Sequence, residues 1–183
     1  MQLQSKNKLN QNPFNWHVES SCVFYTQDEI VIFTNEMKNF LISSAAKHCK
    51  KEARLCTHLS PENQLHEMII VHSKGNYVPP HKHFNKVESF HLIDGQLAIV
   101  IFNEKGEIKQ VIQLSDKKDI YYRLQKSMYH TVVPLSEYVV YHEVTDGPFL
   151  IDEKHEATWA PMKNDEGEVN NYQKKLMERI KKF

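Results

Sequence analysis

Two histidines stand one residue apart in "GNYVPPHKHFNKVESFHLIDG" (residues 75–95), a glutamate follows five residues later, and glycines bracket the set. Numbered, the pattern is Gly75-x5-His81-x-His83-x4-Glu88-x6-Gly95. On a helix, side chains at i and i+2 diverge. On a strand, alternate side chains share a face, so His81 and His83 point the same way. A strand over 77–83 would turn Tyr77, Pro79, His81 and His83 inward. The short 84–86 link then allows a tight reversal, with Glu88 returning on the neighbouring antiparallel strand. The same alternation sends Lys82 and Lys86 to solvent and His91 away from Glu88. "MYHTVV" supplies a fourth group, His130, at the start of a later strand. Three imidazoles and one carboxylate form a mixed N/O site for one divalent transition metal. Fe(II) and Zn(II) rank first, and Mn(II) and Ni(II) are also compatible. A five- or six-coordinate ion would leave positions open for water or substrate.

The elements that must position these groups are mostly strands. Short apolar stretches with turn residues between them place strands at 54–58, 65–72, 77–83, 87–93, 96–103, 107–114, 118–124, 129–134 and 138–144. Asp94-Gly95 and "NEKG" (103–106) supply turn chemistry. Many short strands at this spacing predict a sandwich or barrel, not a parallel sheet. "CVFY" and "EIVIF" read as further short strands, and residues 1–20 as a loose arm or a strand that docks on another element. Between 35 and 51 the period turns helical, with Phe40, Leu41, Ala45, His48 and Cys49 on one stripe and Thr34 or Asn35 as the cap. A second helix is expected over 168–183, with Val169, Tyr172, Leu176, Ile180 and Phe183 aligned. Trp159 and Pro161 are expected to pack the segment before it on the barrel.

The whole chain narrows the function classes. Its 183 residues are enough for one domain with a substantial core. Lysine plus arginine, 23, equals aspartate plus glutamate, 23, so no global field favours nucleic acid or an anionic membrane. The basic residues of the last helix (Lys174, Lys175, Arg179, Lys181, Lys182) read as a solvated face. Apolar runs such as "LAIVIF" are strand-sized and cannot span a bilayer. The N-terminal stretch lacks the apolar core of a secretory signal. Three cysteines without a CxxC pair fit reduced thiols and a cytoplasmic location.

The bracketed His-x-His-x4-Glu pattern resembles the first motif of the cupin superfamily, and His130 falls where the second motif places its histidine. The usual Pro-x-Gly before that histidine is Gln125-Lys126-Ser127 here, and Pro134 stands where asparagine is often found. The resemblance implies a mainly β cupin double-stranded β-helix, or jelly-roll barrel, with His81, His83, Glu88 and His130 as metal ligands. "RLCTHLSPENQLHEMII", "YVPPHKHFNKVESFHLIDGQL", "IFNEKGEI", "YHTVV", "DGPF" and "TWAP" together are similar to WbuC-type cupin metalloproteins, over roughly residues 30–162. The organisation expected is an arm with short strands and a helix over 1–53, a barrel over 54–162 and a C-terminal helix over 163–183.

WbuC-type proteins commonly sit among genes for bacterial O-antigen and other surface polysaccharides. The resemblance therefore implies action on a nucleotide-linked sugar, in an isomerase- or epimerase-like reaction. The alternatives are a non-catalytic metal- and ligand-binding module of the same pathway, or an Fe(II) oxygenase. Arg54, His58 and Tyr77 are the candidate substrate-binding residues, and Tyr77 and His66 the candidate proton-transfer groups. Arg54 ranks above Arg123 for a diphosphate because it shares a strand face with His58. The rival role for Arg54 is an ion pair that locks the N-terminal helix to the barrel. Residues 20–33 offer strands without obvious partners in the barrel, which predicts a homodimer.

Overall fold

Strand β6 (Glu88–Phe102) and strand β9 (Tyr129–Asp146) run antiparallel along almost their whole lengths, from Glu88 opposite Thr145 to Phe102 opposite Tyr129. This long ribbon is the spine of a computed structural model that describes residues 13–148 and 154–183. The other described strands are β1 (Trp16–Ser20), β2 (Val23–Thr26), β3 (Glu52–Cys56), β4 (Leu65–Ser73), β5 (His81–His83), β7 (Ile108–Leu114), β8 (Tyr121–Leu124) and β10 (Lys154–Glu156). Helix α1 covers Asn35–Lys47 and helix α2 covers Glu166–Ile180. The sheet runs β1-β2-β3-β4-β9-β5-β10, and β6 also holds β7 and β8.

Alternation along the strands explains how the sheet closes. Met68 and Ile70 of β4 and Leu97, Ile99 and Ile101 of β6 point into the barrel, where they meet Phe90, Leu114, Tyr122 and Tyr141. The intervening residues face outward but stay buried. Leu55, Ile69, Val71 and Val140 pack on Leu41 and Ala45 of α1. Ala98, Val100 and Phe102 pack on Leu176 and Ile180 of α2. A strand covered on both faces needs a continuous apolar run rather than an alternating one, and "LAIVIF" is that run. Thr34 caps α1, its hydroxyl accepting from the Met37 amide at 3.3 Å. Asp165 does the same for α2 through the Glu168 amide at 3.0 Å. Phe183 lies beyond α2 and is exposed, so it takes no part in that helix's apolar stripe.

Several expected boundaries move, for identifiable reasons. The segments 87–93 and 96–103 are one strand, as are 129–134 and 138–144. Asp94-Gly95 makes a bulge between Leu92 and Leu97, not a reversal, because both halves of β6 pair with β9. The strand expected at 77–83 shortens to β5, since Pro79 and Pro80 have no N–H to offer a ladder. Glu88 consequently does not return on a strand paired with β5, although its side chain still reaches His83 and His130. β5 pairs with β9 and β10, whereas β6 pairs with β7, β8 and β9. "EIVIF" forms no strand, and Ile30 and Ile32 are exposed. β1 forms within residues 1–20 as a strand docked on β2, the second of the two readings for that stretch, of which residues 1–12 lie outside the described residues. β2 joins β3 in parallel, with Val23 opposite Arg54. The Val23–Thr26 part of the 20–33 segment therefore has a partner in the barrel sheet, and the N-terminal strands continue that sheet.

The two bracketing glycines carry different constraints. Both have φ near +85°, a region other residues enter at a cost of about 1–2 kcal/mol. A Cβ on Gly75 would meet nothing within 4 Å, whereas one on Gly95 would lie 2.4 Å from the Tyr138 carbonyl oxygen. Gly75→Ala should destabilise the protein by about 1 kcal/mol and Gly95→Ala by about 3 kcal/mol or more. Equal losses for the two variants in chemical denaturation would contradict this account of the bulge.

Candidate metal centre

β5 is three residues long, and its position is fixed from both sides. His81 lies opposite His130 of β9, while Glu156 of β10 lies opposite His81 on the other edge. The Ala157 amide adds a bond to the Pro80 carbonyl at 2.8 Å. His81 and His130 are 8% and 1% exposed, so neither is a surface histidine. The ring nitrogens of His81, His83 and His130 come within 4.8 Å of one another, a group that could hold a metal ion.

The tautomers support that reading. Nδ1 of His81 lies 2.8 Å from the Pro79 carbonyl oxygen, and Nδ1 of His130 lies 3.0 Å from that of Met128. A carbonyl only accepts, so each Nδ1 carries a proton and each ring is oriented with Nε2 away from that bond. Backbone bonds of this kind commonly fix metal-ligating imidazoles.

Glu88 stands beside the trio, though it is not part of the mutually close group. Its backbone is tied down by Val87, which donates to Asp146 at 2.8 Å and accepts from the Thr145 hydroxyl at 3.0 Å. One carboxylate oxygen is 2.8 Å from Nε2 of His130 and the other 4.0 Å from Nε2 of His83. The 2.8 Å contact joins two buried groups of opposite preferred charge. Burial pushes the His130 pKa down, but the adjacent Glu88 carboxylate outweighs it and the net shift is upward. The pocket thus favours positive charge at this point.

A cavity of about 470 Å³ opens beside the trio. Its far wall is made by alternate residues of β3 and β4. Arg54 and Cys56 come from β3, His66, Met68, Ile70 and His72 from β4, and His58 from the loop after β3. Arg54 and His58 therefore share a face, as their parity requires. Arg54 lines the cavity and makes no ion pair to α1 among the described residues. Arg123 is exposed on β8 and does not line the cavity.

His58 and His66 stack at 4.1 Å with their planes 2° apart. Nδ1 of His58 lies 3.0 Å from the Glu67 carbonyl oxygen and 3.2 Å from the Glu67 amide nitrogen, and its pKa is lowered, mainly by burial. Nε2 of His66 donates to the Pro61 carbonyl at 3.0 Å.

Tyr77 is placed elsewhere. Its hydroxyl donates to the Pro161 carbonyl at 2.8 Å and its ring meets Tyr172 edge-on, so it docks the C-terminal segment instead of facing the trio. With β5 beginning only at His81, strand parity does not extend back to Tyr77. Trp159 packs on Phe102 and Tyr129, as expected of that segment. Lys82 and Lys86 are not simply solvated. Lys82 binds Glu104 at 2.9 Å and lies over the Tyr129 ring, and Lys86 lines the cavity mouth and donates to the Pro148 carbonyl at 2.9 Å. His91 is exposed, as the alternation predicts. The sequence reading passed over His72, although its parity with His66 along β4 was available as a signal.

Comparison with known proteins adds a fold. A domain of unknown function, DUF6016, matches residues 33–114, under half of the chain. No curated protein matches. A crystal structure from Shewanella oneidensis is 11% identical, with a TM-score of 0.52 over 64% of this chain and 82% of that one. The Schizosaccharomyces pombe Cnp3 cupin domain is 13% identical, with a TM-score of 0.41 over 52% of this chain and 61% of that domain. The Staphylococcus aureus capsular polysaccharide assembling protein CapF is 14% identical, with a TM-score of 0.45 over 57% of this chain and 30% of CapF. At these identities the likeness concerns architecture alone, and the last two are too distant to support more. The likeness to the first of these is one of architecture. The ribbon of β6 and β9 and the strands paired along it make a mainly β, cupin-like fold with a helix in the N-terminal region and another at the C-terminus. All three cysteines are free, and no helix among the described residues is long and apolar enough to cross a membrane.

His72 generates a test by pH. It is buried on β4, and desolvation lowers its pKa to about 4, with Glu52 opposing and Lys163 and Arg54 reinforcing the shift. The unfolded chain binds a proton near pH 6.5 that the folded chain resists. Stability tied to His72 is therefore complete above pH 6.5 and is lost as pH falls toward 4, by up to about 3 kcal/mol. His72→Phe should flatten that part of the stability profile between pH 6.5 and 4. Profiles of equal slope for variant and parent would refute the neutral, buried state of this imidazole.

Proposed function

We propose that the protein is a metal-dependent cupin of the WbuC type that acts on a small anionic molecule, with a nucleotide-linked sugar as the substrate class and isomerisation or epimerisation as the reaction. The observation that carries the reading is the His81, His83 and His130 group on the wall of a cavity whose opposite wall bears Arg54. Those three imidazoles, with Glu88 beside them, would hold one divalent ion, Fe(II) or Zn(II) ahead of Mn(II) or Ni(II). Such an ion supplies Lewis-acid polarisation of a carbonyl or hydroxyl oxygen.

The chain's own residues set the rest. Arg54 offers a planar fork for two oxygens of one anionic group. His58 and His66 line the cavity beside it. Phe90 and Val132 give it an apolar wall that limits water. Glu143 also lines it, close enough to His130 to raise the imidazole's pKa, and adds an acidic group to the cavity wall.

A non-catalytic ligand-binding module is the second reading. It is favoured by one observation: Tyr77 is committed to Pro161, so one of the two proton-transfer candidates read from the sequence is withdrawn. An Fe(II) oxygenase uses the same ligands and is separated from both by its need for oxygen.

Elemental analysis of purified protein should find about one transition metal per chain. The double variant His81→Ala/His83→Ala should lose it while keeping its fold. Retention of metal by that variant would sink the site. Turnover of any nucleotide-sugar in a panel would select the enzyme, and saturable binding without turnover the module. Replacing Arg54 by lysine and then alanine should weaken that binding progressively, with metal content and melting temperature unchanged.

The same reading includes a homodimer, formed along the outer edge of β1. Four of the five β1 residues are exposed, and Ile30 and Ile32 are 80% and 68% exposed. An open strand edge with apolar neighbours is a surface that pairing with a second copy covers. Light scattering at micromolar concentration should give twice the chain mass, and a monomer there would refute the dimer.

A further inference from the structure

The inner wall of the barrel does not stop at β3. His17 of β1 lies opposite Tyr25 of β2, Tyr25 opposite Cys56 of β3, Cys56 opposite Met68 of β4, and Met68 opposite Glu143 of β9. Directly opposed residues share a sheet face, so these five side chains form one row across four strand spacings, about 19 Å. The last four line the metal cavity. His17, at the outer end of the row, lines a second cavity of about 540 Å³. The two cavities share Glu19, Tyr25 and Pro61, so they lie side by side along a single wall.

Local irregularities build the second chamber. Glu19 is the extra residue of a bulge, because β1 passes from Val18, opposite Phe24, to Ser20, opposite Val23. Bulges re-aim side chains, and that of Glu19 lines both cavities. The loop that faces the strands is pinned in place. The Ser60 amide donates to Oδ1 of Asn63 at 2.9 Å, and the Pro61 carbonyl accepts from His66 at 3.0 Å. The Tyr25 ring is held edge-on to His58, with centroids 5.6 Å apart and planes at 85°.

The lining selects the kind of ligand. Tyr25 and Leu59 supply apolar surface, Glu19 supplies acceptors, and His17 and Gln27 add further hydrogen-bonding groups. His17 Nε2 lies 3.3 Å from the Glu19 carboxylate, so these two form one polar edge of the chamber. Neither lysine nor arginine is among the described lining residues, and Glu19 is the one carboxylate. An anionic group is therefore repelled here, whereas hydroxyl or amide donors find an acceptor. An aromatic side chain with a few polar groups around it suits an uncharged ring.

We propose that the chamber over β1 and β2 is a subsite for an uncharged ring bearing hydroxyl or amide groups, the end of the ligand farther from the histidine trio. Arg54, on β3, stands between the chamber and the trio. A ligand with its reacting part at the metal and its anionic link beside Arg54 would bring a second ring to Tyr25. The subsite deepens the metal-site reading and rests on it for what the rest of the ligand does.

Uridine and methyl glucoside serve as separate probes on the full chain at pH 7, with inorganic phosphate as the anionic control. Binding is followed from the Tyr25 ring and Leu59 methyl resonances. Saturable shifts with uridine alone assign the ring to a nucleoside, those with methyl glucoside alone assign it to a sugar, and shifts with both uphold the uncharged ring as a class. Glu19→Gln, at an exposed position where folding is not at risk, and Tyr25→Leu should each weaken binding at least threefold. The double variant His81→Ala/His83→Ala should leave it intact. Ring binding by that metal-free protein would uphold the subsite even if the metal reading failed. The absence of saturable shifts with either ring probe, or shifts with phosphate alone, would overturn the subsite and leave the metal reading standing. Binding unchanged by Glu19→Gln and Tyr25→Leu would overturn it too.

Discussion

The site depends on a single pairing, His81 of β5 against His130 of β9. A three-residue strand has little stability of its own, and two prolines before it remove donors that could have lengthened it. It stays in place because β9 lies on one edge and β10 on the other, and because the ring Nδ1 atoms of His81 and His130 are bonded to carbonyls two residues back in their own chains. Each imidazole is thereby held in one tautomer as well as one direction. The outer-shell bonds come from backbone, so they cannot be lost by side-chain replacement, only by moving the strand.

β9 makes the rest possible. It pairs with β4, β5 and β6, and it carries His130 near one end and Glu143 and Thr145 near the other. Because β6 follows it in antiparallel register, Glu88 at the start of β6 lies opposite Thr145. Bending of the ribbon at the Asp94-Gly95 bulge then lets Glu88 and His130 meet, although they stand at opposite ends of the ribbon. Bulges increase twist and bend a strand, which is what closure of this barrel requires. The helices hold that curvature from outside: α1 on β3, β4 and β9, and α2 on β6 and its neighbours.

The barrel class, both helices and the grouping of three histidines were legible because each rests on local periodicity or spacing. The Thr34 cap and the apolar stripe of α2 were readable for the same reason. What escaped was non-local. Nothing within residues 87–103 distinguishes a bulge from a hairpin turn, since Asp-Gly serves both, and the choice is made by β9, over thirty residues away. Tyr77 was assigned to the cavity by strand parity, which fails once Pro79 and Pro80 end the strand. Lys82 and Lys86 were assigned to solvent by parity alone, yet a long side chain can reach Glu104 or the Pro148 carbonyl from either face.

Polar burial separates the functional wall from the structural one. The two outer faces of the sheet bury residues such as Leu55, Val71, Val100 and Phe102, and no ionisable side chain is needed there. The inner face buries His66, His72, Glu88 and His130 among Met68, Ile70, Phe90 and Val132. Desolvating each such group costs stability unless it is paired, and apolar residues of similar size would avoid the cost. Selection for the fold alone would therefore have made both faces alike. The asymmetry falls on the face that encloses the cavity, and departures from local consistency are expected where a protein binds or reacts. Backbone carbonyls satisfy part of this polar set, at His66, His81 and His130. His72 Nδ1 has no such partner among the described residues, and the ring stays neutral by burial.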